Sequence, residues 1–195
     1  MDRSSPATTD AGERILDAAY TLFCRRGVNI VGIDEIIATS GVARQTLYRR
    51  FNSKQDLVLA VLARREKLWL RSWLQAEVER RTTDPDGRLL AIFEVFDGWF
   101  RRSDFEGCAF INVMLEHPDQ DDPIRRACVG YLADIRVLLA TLAADAGIAD
   151  PDDFARRWHI LMKGSIVSAG EGDVDAALRA RQIGMLVLER EPRTV

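Results

Sequence analysis

The 195-residue sequence is poor in cysteine, with only Cys24, Cys108 and Cys128. Their wide spacing and the lack of a Cys-x-x-Cys pair argue against a disulfide framework or a zinc cluster and suit a reduced cytosol. The polar N-terminus MDRSSPATTD has no apolar signal core, and no run approaches about 18 apolar residues. The sequence therefore predicts a soluble cytoplasmic protein that is neither exported nor inserted into a membrane.

Motifs of common catalytic sites are also missing from the sequence. There is no glycine-rich phosphate loop, no nucleophile elbow and no His-Glu-x-x-His pair. The two histidines, His117 and His159, lie 42 positions apart without a partner at metal-ligand spacing. We therefore expect no enzymatic activity, no metal site and no other cofactor.

Helix signals dominate the chain, because no segment shows the alternating β-branched pattern of a strand. A capping-box spacing of Asp10 and Glu13 opens the first helix, and Gly27 ends it. Further helices are predicted at residues 33–39, 43–50, 54–81, 88–102, 108–116, 123–146, 151–169 and 174–189. The sequence thus predicts an all-α fold of about nine helices, with about nine N-terminal and four C-terminal residues frayed.

Charge is distributed unevenly along the chain, whose formal net charge is −3. Residues 1–71 hold 12 Lys/Arg and 8 Asp/Glu, whereas residues 72–195 hold 15 and 22. Between positions 41 and 71 there are eight basic residues and two acids. The basic N-terminal end is therefore the candidate for contact with a polyanion.

A helix-turn-helix is predicted where a Ser-Gly pair at 40–41 separates two short helices. The second helix begins inside the basic window GVARQTLYRRFNSKQDLV, residues 41–58. Its first turn carries Arg44, Gln45 and Thr46, in the position from which side chains reach base edges in the major groove. Arginine can bridge guanine, glutamine can bridge adenine, and the threonine methyl can touch thymine.

Other side chains of this window suit contacts to phosphate. Tyr48 can donate its hydroxyl, and Lys54 lies in the first turn of the next helix, where free amides also attract an anion. Arg49 and Arg50 add positive charge. A solvated face explains each of these charges singly, and half-buried packing explains Tyr48, but together the side chains outline a contact surface.

Residues 13–62, and most sharply the basic window, resemble the DNA-binding domain of the TetR (tetracycline-repressor) family. The shared features are a Gly-Val turn, Thr-Leu-Tyr, a following Phe, a Ser-Lys pair and an apolar helix. The resemblance implies that Tyr48 and Lys54 grip phosphate, with Thr46 at the groove.

The same resemblance leaves Arg44 and Gln45 at reading positions that vary between members. The sequence also departs from the family pattern. Gly32 stands where a Thr commonly caps the second helix, Ile37 where a small Ala is usual, and Gln45 where a small residue is frequent. At position 32 the contact to phosphate is then left to a backbone amide.

The resemblance implies a DNA-binding domain over residues 10–56 and a helical ligand-binding and dimerisation domain over residues 57–190. Aromatic and thioether side chains in the middle of the chain are numerous enough to line an apolar pocket, although an ordinary core explains most of them. The candidate pocket residues are Phe96, Trp99, Phe100, Phe110, Asn112, Met114, Trp158 and Met162.

The last two helices offer more apolar surface than a short terminal helix normally buries. In the resembling family these helices pair with their copies in a four-helix bundle, and Gly164 and Ser168, four apart, would allow close approach. An intramolecular core explains the pattern equally well. The candidate interface residues are Leu161, Gly164, Ser165, Ser168, Ala177, Leu178, Met185 and Leu188.

The expected function is that of a homodimeric transcription regulator of the cytoplasm. We expect a repressor that leaves its double-stranded DNA operator when a small apolar or amphipathic effector binds the C-terminal domain. The alternative is a helical interaction module whose basic surface binds an acidic partner instead of DNA.

Overall fold

The computed structural model describes residues 10–194, and this part of the chain is all-α, which confirms the predicted fold class. Its nine helices are α1 (Ala11–Arg26), α2 (Ile33–Ser40), α3 (Arg44–Arg50), α4 (the continuous run Lys54–Glu66, Lys67–Gln75 and Ala76–Arg81), α5 (Pro85–Phe100), α6 (Ala109–Glu116), α7 (Pro123–Asp145), α8 (Pro151–Gly170) and α9 (Ala176–Arg190). The nine N-terminal residues predicted to fray lie outside the described residues.

Asp-Pro pairs begin two of the long helices. At α5 the Asp84 carboxylate accepts a hydrogen bond from the Gly87 amide at 2.7 Å, and Pro85 fills the first helical position. The helix therefore starts three residues before the predicted Arg88. Asp150 caps α8 in the same way and accepts from the amide three residues later.

The N-terminus of α1 differs from the predicted capping box. Asp10 precedes the helix, but its side chain accepts no hydrogen bond from the first turn. Its carboxylate instead accepts from Arg50, and the Glu13 carboxylate accepts from Arg64 at 2.9 Å. Long-range guanidinium partners have taken both acids, so the predicted capping box is wrong, whereas Gly27, with a φ of 86°, ends α1 as predicted.

The middle of α4, Lys67–Gln75, has π-helical turns. One hydrogen bond follows this wider pitch: the Ser72 hydroxyl donates to the Lys67 carbonyl, five residues earlier, at 3.1 Å. Trp69, Leu70 and Leu74 are the buried residues of this segment. Short π-helical segments inside α-helices are often found at functional sites.

The chain divides into two compact units, and the boundary runs through helices. The first unit extends to Arg64 and includes Ile111–Cys128, while the second comprises Arg65–Phe110 and the chain from Val129 onward. The first unit therefore combines the helix-turn-helix with most of α6 and the start of α7. The domain boundary predicted after residue 56 stays a prediction.

Each unit has its own apolar core. In the first unit the buried side chains include Ile15, Ala19, Phe23, Val28, Ile36, Val42, Leu47, Leu57, Val61, Val113 and Ile124. In the second unit they include Leu74, Leu89, Ile92, Phe93, Phe96, Leu139, Phe154, Trp158 and Ala177. Helix α9 packs on α5 and α8. A Cβ atom at Gly184 of α9 would lie 2.8 Å from Trp158 Cη2, so glycine permits this approach.

The C-terminal residues up to Thr194 are fixed to the second unit rather than frayed as predicted. The Thr194 amide donates to the Gly147 carbonyl at 2.8 Å, and Ile148 and Arg193 form an isolated antiparallel bridge. Arg193 also donates through both terminal nitrogens to the Asp86 carboxylate, each at 2.8 Å. This bidentate pair is a contact between residues 107 positions apart that composition does not reveal.

Helix α7 alone among the described helices is long and apolar enough to cross a membrane, with a mean hydropathy of 1.6 over 18 residues. Its buried side chains Cys128, Leu132, Ile135, Leu139 and Leu142 recur every three or four residues. This stripe is typical of a helix that packs on one side against protein.

Candidate nucleic-acid interface

The inner side of α3 is anchored in the core of the first unit. Leu47 is only 1% exposed, and Val42 before α3 and Ile36 in α2 are buried as well. Helix α1 packs against both α2 and α3. This packing fixes which side of α3 faces solvent.

The outward side of α3 carries most of the side chains predicted to contact DNA. Arg44, Gln45, Tyr48 and Arg49 are exposed, and Tyr48 keeps 46% of its surface accessible. Residues four apart on a helix are neighbours, so Arg44 lies beside Tyr48 and Gln45 beside Arg49. Thr46 lies in the same first turn as Arg44 but is half-buried. The predicted contact surface is thus an exposed polar and cationic row, which we call the α3 row (Arg44, Gln45, Tyr48 and Arg49).

Two arginines of the window already have carboxylate partners. The Arg44 guanidinium pairs with Asp34 of α2, and both side chains are well exposed. Arg50 donates to Asp10 at 2.6 Å, which ties the end of α3 to the start of α1. A Cβ atom at Gly12 would lie 2.6 Å from the Arg50 guanidinium, so glycine makes room for this pair. Arg50 therefore has a structural contact that sequence reasoning missed.

Lys54 opens α4 beside free helix amides. The Ser53 hydroxyl accepts from the Asp56 amide at 3.0 Å, so Ser53 caps this helix. Within residues 10–194, neither Lys54 nor Arg49 has a carboxylate at ion-pair distance, whereas the other two arginines of α3 each have one. Both cations are available to an external anion, and the start of a helix favours one.

A second segment of the chain is hydrogen-bonded to the turn between α1 and α2. The Asn29 amide donates to Glu116 Oε2 at 2.9 Å, and the Asn29 side-chain nitrogen donates to the Glu116 carbonyl at 3.1 Å. A Cβ atom at Gly27 would lie 2.9 Å from the same carboxylate. Asn29 and Glu116 are 87 positions apart, and no local pattern in the sequence signals the contact.

The end of α6 that carries Glu116 is itself held by the start of α7. One Arg125 nitrogen donates to the carbonyls of Met114 and His117, at 3.1 and 3.0 Å. His117 Nδ1 lies 3.0 Å from the Asp122 carboxylate. A cation on the last carbonyls of a helix stabilises that helix end. Glu116 therefore extends from a braced helix terminus.

Comparisons with known proteins agree with this geometry. The family profile for bacterial regulatory proteins, tetR family, matches residues 15–61. A TetR-family transcriptional regulator of Streptomyces coelicolor has a similar structure, with a TM-score of 0.84, 29% identity, and coverage of 92% of this chain and 94% of that chain. Residues 15–61 thus match the tetR family, and the fold of the chain resembles that of a TetR-family regulator.

Curated transcriptional regulators match this chain over different lengths. The transcriptional activator FasR of Mycolicibacterium smegmatis is 41% identical over 83 residues, which cover 43% of this chain and 37% of that protein. The transcriptional regulator AcuR of Cereibacter sphaeroides is 26% identical over 175 residues, which cover 86% of this chain and 80% of that protein. The FasR match thus spans just over a third of that regulator's length.

The predicted pocket residues are dispersed. Trp99 and Phe110 line a small cavity of about 10 Å³ in the second unit. Phe96, Trp158 and Met162 are at most 2% exposed, and ring contacts join Phe96 to Phe100 and Trp158 to its aromatic neighbours. Ordinary core packing accounts for these buried side chains.

Asn112 and Met114 belong to the first unit, apart from the other candidates. Asn112 is exposed and Met114 is half-buried. Helix α6 is short and turns Asn112 away from the side that buries Phe110 and Val113.

The predicted dimer residues divide into outward and inward groups. Gly164, Leu178 and Met185 are exposed, and Leu161 and Ser168 are half-buried. The remaining three face the core of their own chain, which removes them as direct contacts for a partner: Ser165, Ala177 and Leu188. Exposed apolar side chains that sequence reasoning missed lie on the same two helices: Ile160, Val167, Ile183 and Leu186.

Proposed function

We propose that this protein is a cytoplasmic transcription regulator that binds duplex DNA through the α3 row. In this proposal Arg44 and Gln45 read base edges in the major groove, and Thr46 lies at the groove. Tyr48, Arg49 and Lys54 hold the phosphates on either side, while Arg50 adds charge.

The observation that carries the proposal is the orientation of α3. Burial of Leu47 leaves the α3 row in solvent, and Lys54 follows at the start of the next helix. A helix that presents its first turn outward, flanked by uncommitted cations, has the form of a recognition helix. A module for acidic proteins would need charge but no reading side chains at this turn.

We infer that the protein acts as a homodimer through α8 and α9. Ile160, Val167, Ile183 and Leu186 are each at least half exposed, although their side chains are fully apolar. Apolar side chains grouped on an exposed face favour a protein interface, and a two-fold axis pairs such a face with itself. Two copies would place two α3 helices in major-groove segments about 34 Å apart.

The regulatory step in this proposal is release of the DNA when a small amphipathic effector binds the second unit, so that the protein represses transcription without effector. Two connections support such coupling. Helix α4 runs without a break from Lys54 to Arg81, and α6 ends in the Glu116 contact to Asn29. An effector that prefers one arrangement of these helices changes the DNA affinity by the same free energy.

Selection of bound sites from random duplex DNA tests the proposal. We expect a palindromic site whose half-sites lie about 10 base pairs apart or a multiple of this. Arg44→Ala and Gln45→Ala should each relax the preference at one base pair per half-site, by about 1 to 3 kcal/mol. Arg102→Ala, a change to an exposed arginine after the end of α5, serves as the matched control. Recovery of random sequence would contradict the proposal and favour the interaction module.

A further inference from the structure

A cavity of about 120 Å³ lies in the second unit between α4, α5 and α7. Its apolar walls are Leu74, Val78, Ile92, Leu138 and Leu142. Polar and charged side chains complete the lining: Gln75, Glu79, Arg88, Thr141 and Asp145. None of the pocket residues predicted from the sequence belongs to this set.

The charged groups of the cavity are not paired with one another. The guanidinium of Arg88 makes one long hydrogen bond, from Nε to the Thr82 carbonyl at 3.4 Å. The Glu79 carboxylate accepts a hydrogen bond from the side-chain amide of Gln75 at 3.0 Å. Across the described part of the chain, no ion pair involves Arg88, Glu79 or Asp145.

Among residues 10–194, charged side chains near the cavity form ion pairs, unlike those that line it. Arg80 and Arg81, next to Glu79 in α4, both bind the Glu77 carboxylate. Their hydrogen bonds lower the pKa of Glu77 to about 2. In the same stretch of α4 Glu77 thus pairs with two arginines, whereas half-buried Arg88 and the exposed Glu79 and Asp145 around the cavity make no ion pair within the described residues. A ligand with both signs of charge would satisfy them.

The two helices that carry Arg88 and Asp145 are fixed to each other beside the cavity. Arg193 binds the Asp86 carboxylate near the start of α5 and donates to the Ala146 carbonyl at the end of α7, at 2.6 Å. Both anchor points lie within two positions of a cavity residue. Charged groups held apart in this way are preorganised for a ligand, which lowers the entropic cost of binding.

We propose that this cavity binds a small zwitterion of amino-acid size. Its carboxylate pairs with Arg88, its ammonium group lies between Glu79 and Asp145, and its apolar side chain fills the space lined by Leu74 and Ile92. A cavity of about 150 Å³ holds a benzene ring, so a branched aliphatic chain of four or five carbons fits this one. The inference deepens the proposed function, and rests on it in identifying this ligand as the effector.

Calorimetric titration of the full-length protein with three related probes tests the proposal. L-leucine carries both charges, 4-methylpentanoate lacks the ammonium group, and 3-methylbutylamine lacks the carboxylate. We expect saturable binding of L-leucine below about 10 mM, and at least about tenfold weaker binding of the other two, because each loses a charge-assisted contact. Absence of saturable L-leucine binding, or equal affinity for the amine, would overturn the proposal.

Two variants assign the charges. Arg88→Gln should remove the preference for L-leucine over 3-methylbutylamine. Glu79→Gln should reduce the preference for L-leucine over 4-methylpentanoate. Glu94→Gln, on an exposed residue of α5 that does not line the cavity, should leave all three affinities unchanged. Thermal unfolding of each variant verifies that it folds, and preserved discrimination in Arg88→Gln would contradict the assignment.

A separate experiment tests whether the ligand of this cavity acts as the effector. Titration of L-leucine into a complex with selected duplex DNA should release the DNA if both proposals hold. Binding of L-leucine without release would support the zwitterion site and contradict its role as effector. DNA binding by a protein that does not bind L-leucine would leave the proposed DNA function intact and refute the zwitterion site alone.

Discussion

Asn29 and Glu116 are joined by two hydrogen bonds, one from the backbone amide and one from the side chain of Asn29. The contact brings the end of α6 against the turn that precedes α2. Gly27 permits it, because any larger side chain there would meet the Glu116 carboxylate. The structural unit that presents α3 thus extends beyond the N-terminal helices and includes residues 111–128.

Loss of this contact should loosen the turn before α2. Glu116→Ala removes the acceptor of the Asn29 amide, and we expect a loss of about 1 kcal/mol in the free energy of unfolding. Chemical denaturation measures this change, and hydrogen exchange should show faster exchange of the Asn29 amide. Glu116→Gln keeps an oxygen acceptor and should behave nearly as wild type. Equal destabilisation by both variants would show that charge, rather than the acceptor, matters.

Asp34 should weaken DNA binding in the wild-type protein. Its carboxylate holds Arg44 in the free protein and places a negative charge beside the α3 row. Asp34→Asn should raise DNA affinity up to about fivefold, because an exposed ion pair is worth at most about 1 kcal/mol. Fluorescence anisotropy with labelled duplex measures the change. Reduced affinity in Asp34→Asn would mean instead that Asp34 orients Arg44 for base contact.

A charge on the exposed face of α9 should prevent dimerisation. Leu186 is 58% exposed in the protomer, so Leu186→Glu is expected to fold but to bury a carboxylate in the interface. Analytical ultracentrifugation should show a monomer. Ser103→Glu adds the same charge at an exposed polar site in the turn after α5 and serves as the control. A dimeric Leu186→Glu protein would exclude Leu186 from the interface.

His159 should make the protein less stable in mild acid. Burial, together with the charges of Lys163 and Arg136, lowers the pKa of His159 from 6.5 to about 3. Between these values the unfolded chain binds a proton that the folded chain does not, so stability falls as the pH decreases from 6.5 towards 3. Above the unfolded pKa the residue is neutral in both states and contributes no pH dependence.

The variant His159→Gln isolates this contribution. The unfolding temperature of wild type, relative to the variant, should decline as the pH decreases across that window, and the difference should be constant above it. Differential scanning calorimetry at several pH values measures both proteins. A constant difference down to about pH 4 would show that the folded state takes up the proton on His159.

Local signals were sufficient for most of the fold. Gly27 and Gly41 end helices because each adopts a positive φ, and Asp150 with Pro151 begins one because the capping chemistry is contained in adjacent residues. The same chemistry at Asp84 and Pro85 begins α5 three residues before the predicted start. The π-helical turns of α4 were not predicted because they depend on tertiary packing around Trp69.

The sites were predictable only where they depend on residues close together in the sequence. The α3 row follows from the phase of one short helix, with Leu47 as its buried anchor, so the sequence was enough to propose it. The pairing of Asp10 with Arg50 and the cavity near Arg88 depend on residues distant in the chain. Aromatic side chains suggested a pocket elsewhere, but they pack mainly against one another.

The most direct test of the account is the salt dependence of DNA binding by Lys54→Ala and by the control Arg102→Ala. If Lys54 contacts a phosphate, its removal should reduce the magnitude of the slope of log K against log salt by about 0.9 per contact. The control should keep the wild-type slope. Identical slopes for wild type and Lys54→Ala, at unchanged affinity, would contradict the proposed interface.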